Sequence, residues 1–105
     1  MPSSPEVVFD ALGDPTRRRV LDLVRDNGPA PVGGIAAMLP VSRPAVSQHL
    51  RVLEAAGLVT CTKNGTRHLY AVAPEGLAEL RLWVDGFWNN ALARFTRAAE
   101  GSDEG

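Results

Sequence analysis

Asn64-Gly65 lies between two strand-like runs, Leu58 to Lys63 and Thr66 to Val72, and constrains the fold more than any other feature of the chain. Both residues tolerate positive φ, which a two-residue type I′ turn needs at its two central positions, so the segment is predicted to be a β-hairpin. In that register Cys61 faces His68 and Val59 faces Tyr70 on one side of the ribbon, and Thr62 pairs with Arg67 on the other.

Helices are read from caps and apolar spacing. A short helix from about Val7 to Leu12 precedes Asp14-Pro15, where the aspartate accepts from free first-turn amides and proline loses no helical hydrogen bond. The helix starting there is expected to bury Val20, Leu21 and Val24 and to stop at Asn27-Gly28-Pro29, with Gly28 in a left-handed cap. Val32, Ile35, Ala36 and Leu39 then recur at the spacing of one helical face, weakened at its start by Gly33 and Gly34. Leu39-Pro40-Val41 is a tight turn, and Ser42 caps the next helix, with Arg43 and Pro44 in its first turn.

From Ser42 to Ala56 a helical wheel places Ala45, Val46, Leu50, Val52, Leu53 and Ala56 on one side, and Arg43, Ser47, Gln48, Arg51 and Glu54 on the other. Gly57 ends this helix. His49 falls within the apolar arc and is expected to be packed and hydrogen-bonded. Pro74 opens a last helix, reaching Ala99, whose apolar stripe is wider than one small core requires. Leu80, Trp83, Val84, Phe87, Trp88, Ala91 and Phe95 are therefore assigned to a dimer interface, and Gly86 to a place where two helices can approach closely. Gly101 to Gly105 reads as a disordered tail after a single domain over residues 1–100.

Two helices joined by a tight turn, the second basic on its outer face, followed by a hairpin with a basic tip, describe a mainly α winged helix-turn-helix. Charge is segregated to match. The chain carries −1, yet residues 41–70 hold Arg43, Arg51, Lys63 and Arg67 against Glu54 alone, +3, while seven basic and eleven acidic residues elsewhere give −4. One basic face on an otherwise acidic protein directs it onto a polyanion in a single orientation. A B-DNA major groove admits one helix, so Ser42, Arg43, Pro44, Ser47, Gln48 and Arg51 are candidate contacts, with Arg43 matched to guanine O6 and N7 and Gln48 to adenine. Lys63, Asn64, Thr66 and Arg67 of the wing are candidates for phosphate or the adjacent minor groove.

Four segments carry a family resemblance: Asp14-Pro-Thr-Arg-Arg-Arg-Val-Leu21, Val41-Ser-Arg-Pro-Ala-Val-Ser-Gln-His-Leu50, Leu53-Glu-Ala-Ala-Gly-Leu-Val59 and Gly65-Thr-Arg-His-Leu-Tyr70. Together, over roughly Val7 to Phe95, they resemble the ArsR/SmtB-type repressors, nearest the autorepressor branch with a dimerising terminal helix. The resemblance implies a homodimeric cytoplasmic regulator that occupies a double-stranded DNA operator. The Cys-x-Cys pair of metal-sensing relatives is missing: the helix before recognition reads Gly33-Gly-Ile-Ala-Ala-Met-Leu39, and Pro74 to Ala99 has no histidine, so no metal and no cofactor are expected.

Other readings compete. The winged domain is alternatively a protein-interaction module, or a thiol-responsive regulator acting through Cys61, the only cysteine. Core packing is the expectation for Cys61 and His68, and a solvated surface for Arg17, Arg18 and Arg19. No nucleophile-base pair, paired carboxylates or phosphate-cradling glycine loop supports an enzyme. No apolar run reaches the roughly 20 residues that span a bilayer, so no membrane partner is expected, and no residues stand out for a small-molecule inducer.

Overall fold

The structure, a computed structural model, describes residues 5–103. The order is α1 (Pro5–Leu12), α2 (Pro15–Asn27), α3 (Val32–Ala36), α4 (Arg43–Ala55), β1 (Val59–Asn64), β2 (Arg67–Val72) and α5 (Pro74–Asp103). Two helix starts follow from their caps. The Asp14 carboxylate accepts from the Arg17 backbone N–H at 3.0 Å, and this bond holds the carboxyl below the usual carboxylate range. Ser42 Oγ accepts from the Ala45 N–H at 3.2 Å, with Pro44 following in the first turn. Ser42→Ala is expected to lose about 1 kcal/mol of stability in urea unfolding; an unchanged midpoint would mean that the cap is replaced by solvent at no cost.

The core joins α1 through α4 to the hairpin. Val46, Leu50 and Leu53 of α4 are fully buried against Val8, Val20, Val24, Ile35 and Leu58, each such side chain contributing roughly 1.5–3 kcal/mol through loss of apolar contact with water. On α2, Leu21, expected to be buried, is only half-buried, and Leu23 is buried in addition to Val20 and Val24, because the core reaches that flank of the helix. Ala45 and Val52 are likewise half-buried, at the margins of the α4 core face. α3 closes after Ala36, and Leu39 packs on the core from the following turn.

Backbone conformation corrects two glycine readings. Gly28 is extended, φ −76° and ψ 159°, with no left-handed cap. Glycine is required there by close approach: a Cβ would lie 2.5 Å from the Val24 carbonyl oxygen and 3.1 Å from that of Tyr70. In the hairpin only Gly65 has positive φ, so the turn is Gly65-Thr66, and the sign pattern fits type II′ in place of type I′. Asn64 therefore joins β1 and pairs with Arg67; Cys61 faces Tyr70, Val59 faces Val72 and Thr62 faces Leu69. The slide is two residues on one strand, so every side chain keeps its face. Backbone hydrogen bonds between Ala30 and Tyr70, at 2.8 and 2.9 Å, tie the α2–α3 connection to the outer edge of β2.

α5 leaves this body. Leu77 and Leu80 pack against the core, whereas every residue from Arg81 to Gly101 is exposed. The helix makes the molecule 68 × 29 × 20 Å with a radius of gyration of 18.5 Å, against about 13 Å for a compact chain of this length. Helix continues to Asp103, so the polar stretch expected to be a disordered tail is helical from Gly101; Glu104 and Gly105 lie outside the described residues. No helix among the described residues is long and apolar enough to cross a membrane.

Candidate nucleic-acid interface

Between the outer face of α4 and the wing lies a cleft of about 510 Å³. Arg43, Ser47 and Arg51 reach it from α4, and Thr66 and Arg67 from the turn and β2. The fold thus brings five sequence-predicted contacts together from two elements. Ser42, Pro44 and Gln48 are exposed on the same end or face of α4, and Lys63 and Asn64 are exposed at the wing tip, all outside the cleft wall. Arg43 does not extend freely: its guanidinium lies over Gly33, where an added Cβ would stand 3.6 Å from Nη1.

Electrostatics favour an anion. Arg43, Arg51, Lys63 and Arg67 have no carboxylate partner among the described residues, whereas Arg25 is paired with Asp22 and Asp26 and Arg81 with Asp85 on other surfaces. Of the three arginines expected on a solvated surface, Arg18 and Arg19 are exposed and Arg17 is half-buried, and two of them also serve the fold. Arg17 Nε donates to the Ala11 carbonyl at 2.6 Å and Arg18 Nη1 to that of Leu12, satisfying acceptors at the C-terminal end of α1.

Four cleft residues escaped the sequence reading: Pro31, Val32, His68 and Tyr70. Strand alternation carries a signal for two of them, since His68 and Tyr70 share one face of β2 and buried Tyr70 marks that face as turned toward the body. Burial, aided by Cys61, pushes the Tyr70 phenol above its ordinary range. Cys61 is half-buried with Sγ 3.6 Å from His68 Nδ1, a diagonal contact; His68 itself is exposed and not part of the core. His49 departs from expectation too. Its Nδ1 is buried without a hydrogen-bond partner, although the ring stands near enough to Asp14 to help lower that carboxyl.

The predicted dimer residues divide. Leu80 is half-buried on its own core, whereas Trp83, Val84, Phe87, Trp88, Ala91 and Phe95 are exposed. Trp83 packs edge-on against Phe9 of α1, ring centroids 4.9 Å apart, and stacks on Phe87 at 5.4 Å. Among the described residues no group of three or more His, Cys, Asp or Glu is arranged to hold a metal ion.

A recognition-type helix seated in a helix-turn-helix, with a basic hairpin beside it, defines a winged helix-turn-helix protein. The bacterial regulatory protein arsR family matches residues 14–60. The HTH-type transcriptional regulator Rv2034 of Mycobacterium tuberculosis is 47% identical over 95% of this chain and 94% of its own length. Transcriptional repressor SdpR of Bacillus subtilis is 34% identical, over 78% of this chain and 90% of its own. Among solved structures, a possible transcriptional regulator for arsenical resistance is 44% identical with a TM-score of 0.69, covering 86% of this chain and 93% of that one. The homodimeric winged helix-turn-helix DNA-binding domain Mb0332 of Mycobacterium bovis, a possible ArsR-family regulator, is 31% identical with a TM-score of 0.64, covering 80% and 77%. The chain belongs to the arsR family and is a DNA-binding transcriptional regulator.

Proposed function

We propose that the chain is a homodimeric repressor acting in the cytoplasm by occupying an inverted-repeat operator that overlaps a promoter, without catalysis. The observation carrying this reading is the cleft in which unpaired Arg43 and Arg51 of α4 meet Arg67 of the wing. In it α4 enters the major groove, Arg43 and Gln48 address base edges, Ser42, Pro44, Ser47 and Arg51 fix the approach, and Lys63, Asn64, Thr66 and Arg67 engage the neighbouring backbone. The exposed stripe on α5, with Phe9 of α1, supplies the dimer contact: Trp88 is 63% and Phe95 72% exposed in one chain, a patch that an isolated protein rarely leaves to water. SdpR is named a repressor and Mb0332 a homodimer, and both lend this reading support.

Footprinting on the DNA upstream of its own coding sequence tests it. Two protected half-sites about 10 base pairs apart, or a multiple of that, are expected; a single asymmetric half-site contradicts the dimer. Arg43→Ala should lose about 1–3 kcal/mol on the specific site and relax one base position, whereas Lys63→Ala should weaken all sequences alike. Equal losses on specific and random DNA for Arg43→Ala would remove Arg43 from base readout.

A further inference from the structure

His68 stands outside the contact set above, yet it is built into the same cleft. Its side chain shares the Tyr70 face of β2 and lines the wall with Arg43, Ser47, Arg51 and Arg67. Its direct cross-strand neighbour is Lys63, and its diagonal neighbour Cys61 places Sγ 3.6 Å from Nδ1. With Nδ1 engaged by the thiol, Nε2 is the ring nitrogen left for a partner outside the chain.

Among the described residues the groups facing His68 are all cationic or neutral. α4 brings Arg43 and Arg51, β1 brings Cys61 and Lys63, β2 brings Arg67 and the Tyr70 phenol, and the α3 side brings only Pro31 and Val32. Glu54 is the nearby carboxylate felt by Tyr70, and among the described residues no carboxylate lines the cleft. An incoming anion is therefore what can answer a positive imidazole there.

Resting on the DNA-binding reading above, we propose that His68 is a phosphate-contacting residue of the wing, oriented by Cys61, that takes up a proton as duplex DNA fills the cleft. The Nε2–H donates to a phosphate oxygen. The thiol on Nδ1 fixes the orientation of the ring, as a partner on one imidazole nitrogen sets the role of the other. Imidazole is the side chain whose charge changes between about pH 5 and 8. When charged, it adds one cation to those neutralising phosphate and so releases about one further counterion.

The test is the affinity of the whole chain for a duplex from its own upstream region, measured against salt at about pH 6 and about pH 8, either side of that range. The log–log slope of the native chain should be steeper by about 0.9 at the lower pH. His68→Ala should weaken binding about three- to tenfold there and less than about twofold at the higher pH, with the slope difference gone. His68→Arg should bind tightly at both, and Cys61→Ala should weaken the native chain but not His68→Ala. Equal slopes in the native chain, or a His68→Ala chain that keeps the difference through His49, overturn the inference. Equal losses from Cys61→Ala in both backgrounds overturn the orienting role of Cys61. No salt-sensitive duplex binding at either pH overturns the DNA-binding reading itself, and this inference with it.

Discussion

Phe87→Asp is expected to yield a folded monomer that binds operator DNA roughly a hundredfold or more weakly than the native chain. Phe87 is 63% exposed and stacked on Trp83, in the part of α5 that no residue of its own core covers. A carboxylate there costs one chain little, but in a dimer it is buried in duplicate beside aromatic rings, unpaired. Losing the dimer also loses simultaneous engagement of two half-sites, which alone is worth about 10²–10⁴ in affinity. Sedimentation and circular dichroism separate the effects: a monomer with native helix content is expected, and a variant that stays dimeric would place the interface elsewhere.

Gly76→Ala is expected to lose about 3 kcal/mol or more, the second large effect, through overpacking against atoms that cannot yield. The first turn of α5 rests directly on the backbone at Gly57, and a Cβ on Gly76 would overlap the Gly57 carbonyl oxygen and stand 3.1 Å from Leu58 N. Gly57, at φ 76° where the chain turns from α4 into β1, is held in place by hydrogen bonds from its own N–H to the Glu54 carbonyl at 3.0 Å and from the Leu58 N–H to the Leu53 carbonyl at 2.9 Å. The changes fall on opposite faces of the same problem: Gly76 sets where α5 departs from the body, and Phe87 what it meets afterwards. Urea unfolding with a native midpoint would show that the two backbones can separate without cost.

What the sequence reveals follows the range of the interaction. Asp14 and Ser42 are legible because a cap is settled within four residues, and so is the wheel of α4, where Val46, Leu50 and Leu53 all reach the core. The turn is less so. Asn64 and Gly65 both accept positive φ, so local chemistry allows two registers, and packing of Cys61 and Tyr70 across the strands belongs to the one in which Asn64 stays extended. Gly28 illustrates a longer reach: its need for glycine comes partly from Tyr70, 42 positions away, through the Ala30 bridge.

The same distinction divides the site. Spacing alone places Arg43, Ser47 and Arg51 on one face of α4 and a basic pair on the wing. It does not say which face of the ribbon turns toward that helix. Once Tyr70 is seen buried, His68 two residues earlier must point into the cleft, and Cys61, packed against the margin of the core as expected, touches the site through His68. Arg43 resting over Gly33 depends on how α3 meets α4, which no local pattern encodes.

Whether the cleft between α4 and the wing reads DNA is decided by binding of the purified chain to DNA from upstream of its own coding sequence, against random duplex of equal length, at two salt concentrations. Tight, sequence-selective binding that falls steeply with salt, by about 0.9 in log–log slope for each phosphate neutralised, is expected. Binding without selectivity, or a complex indifferent to salt, would contradict it and turn the cleft between α4 and the wing toward a protein partner.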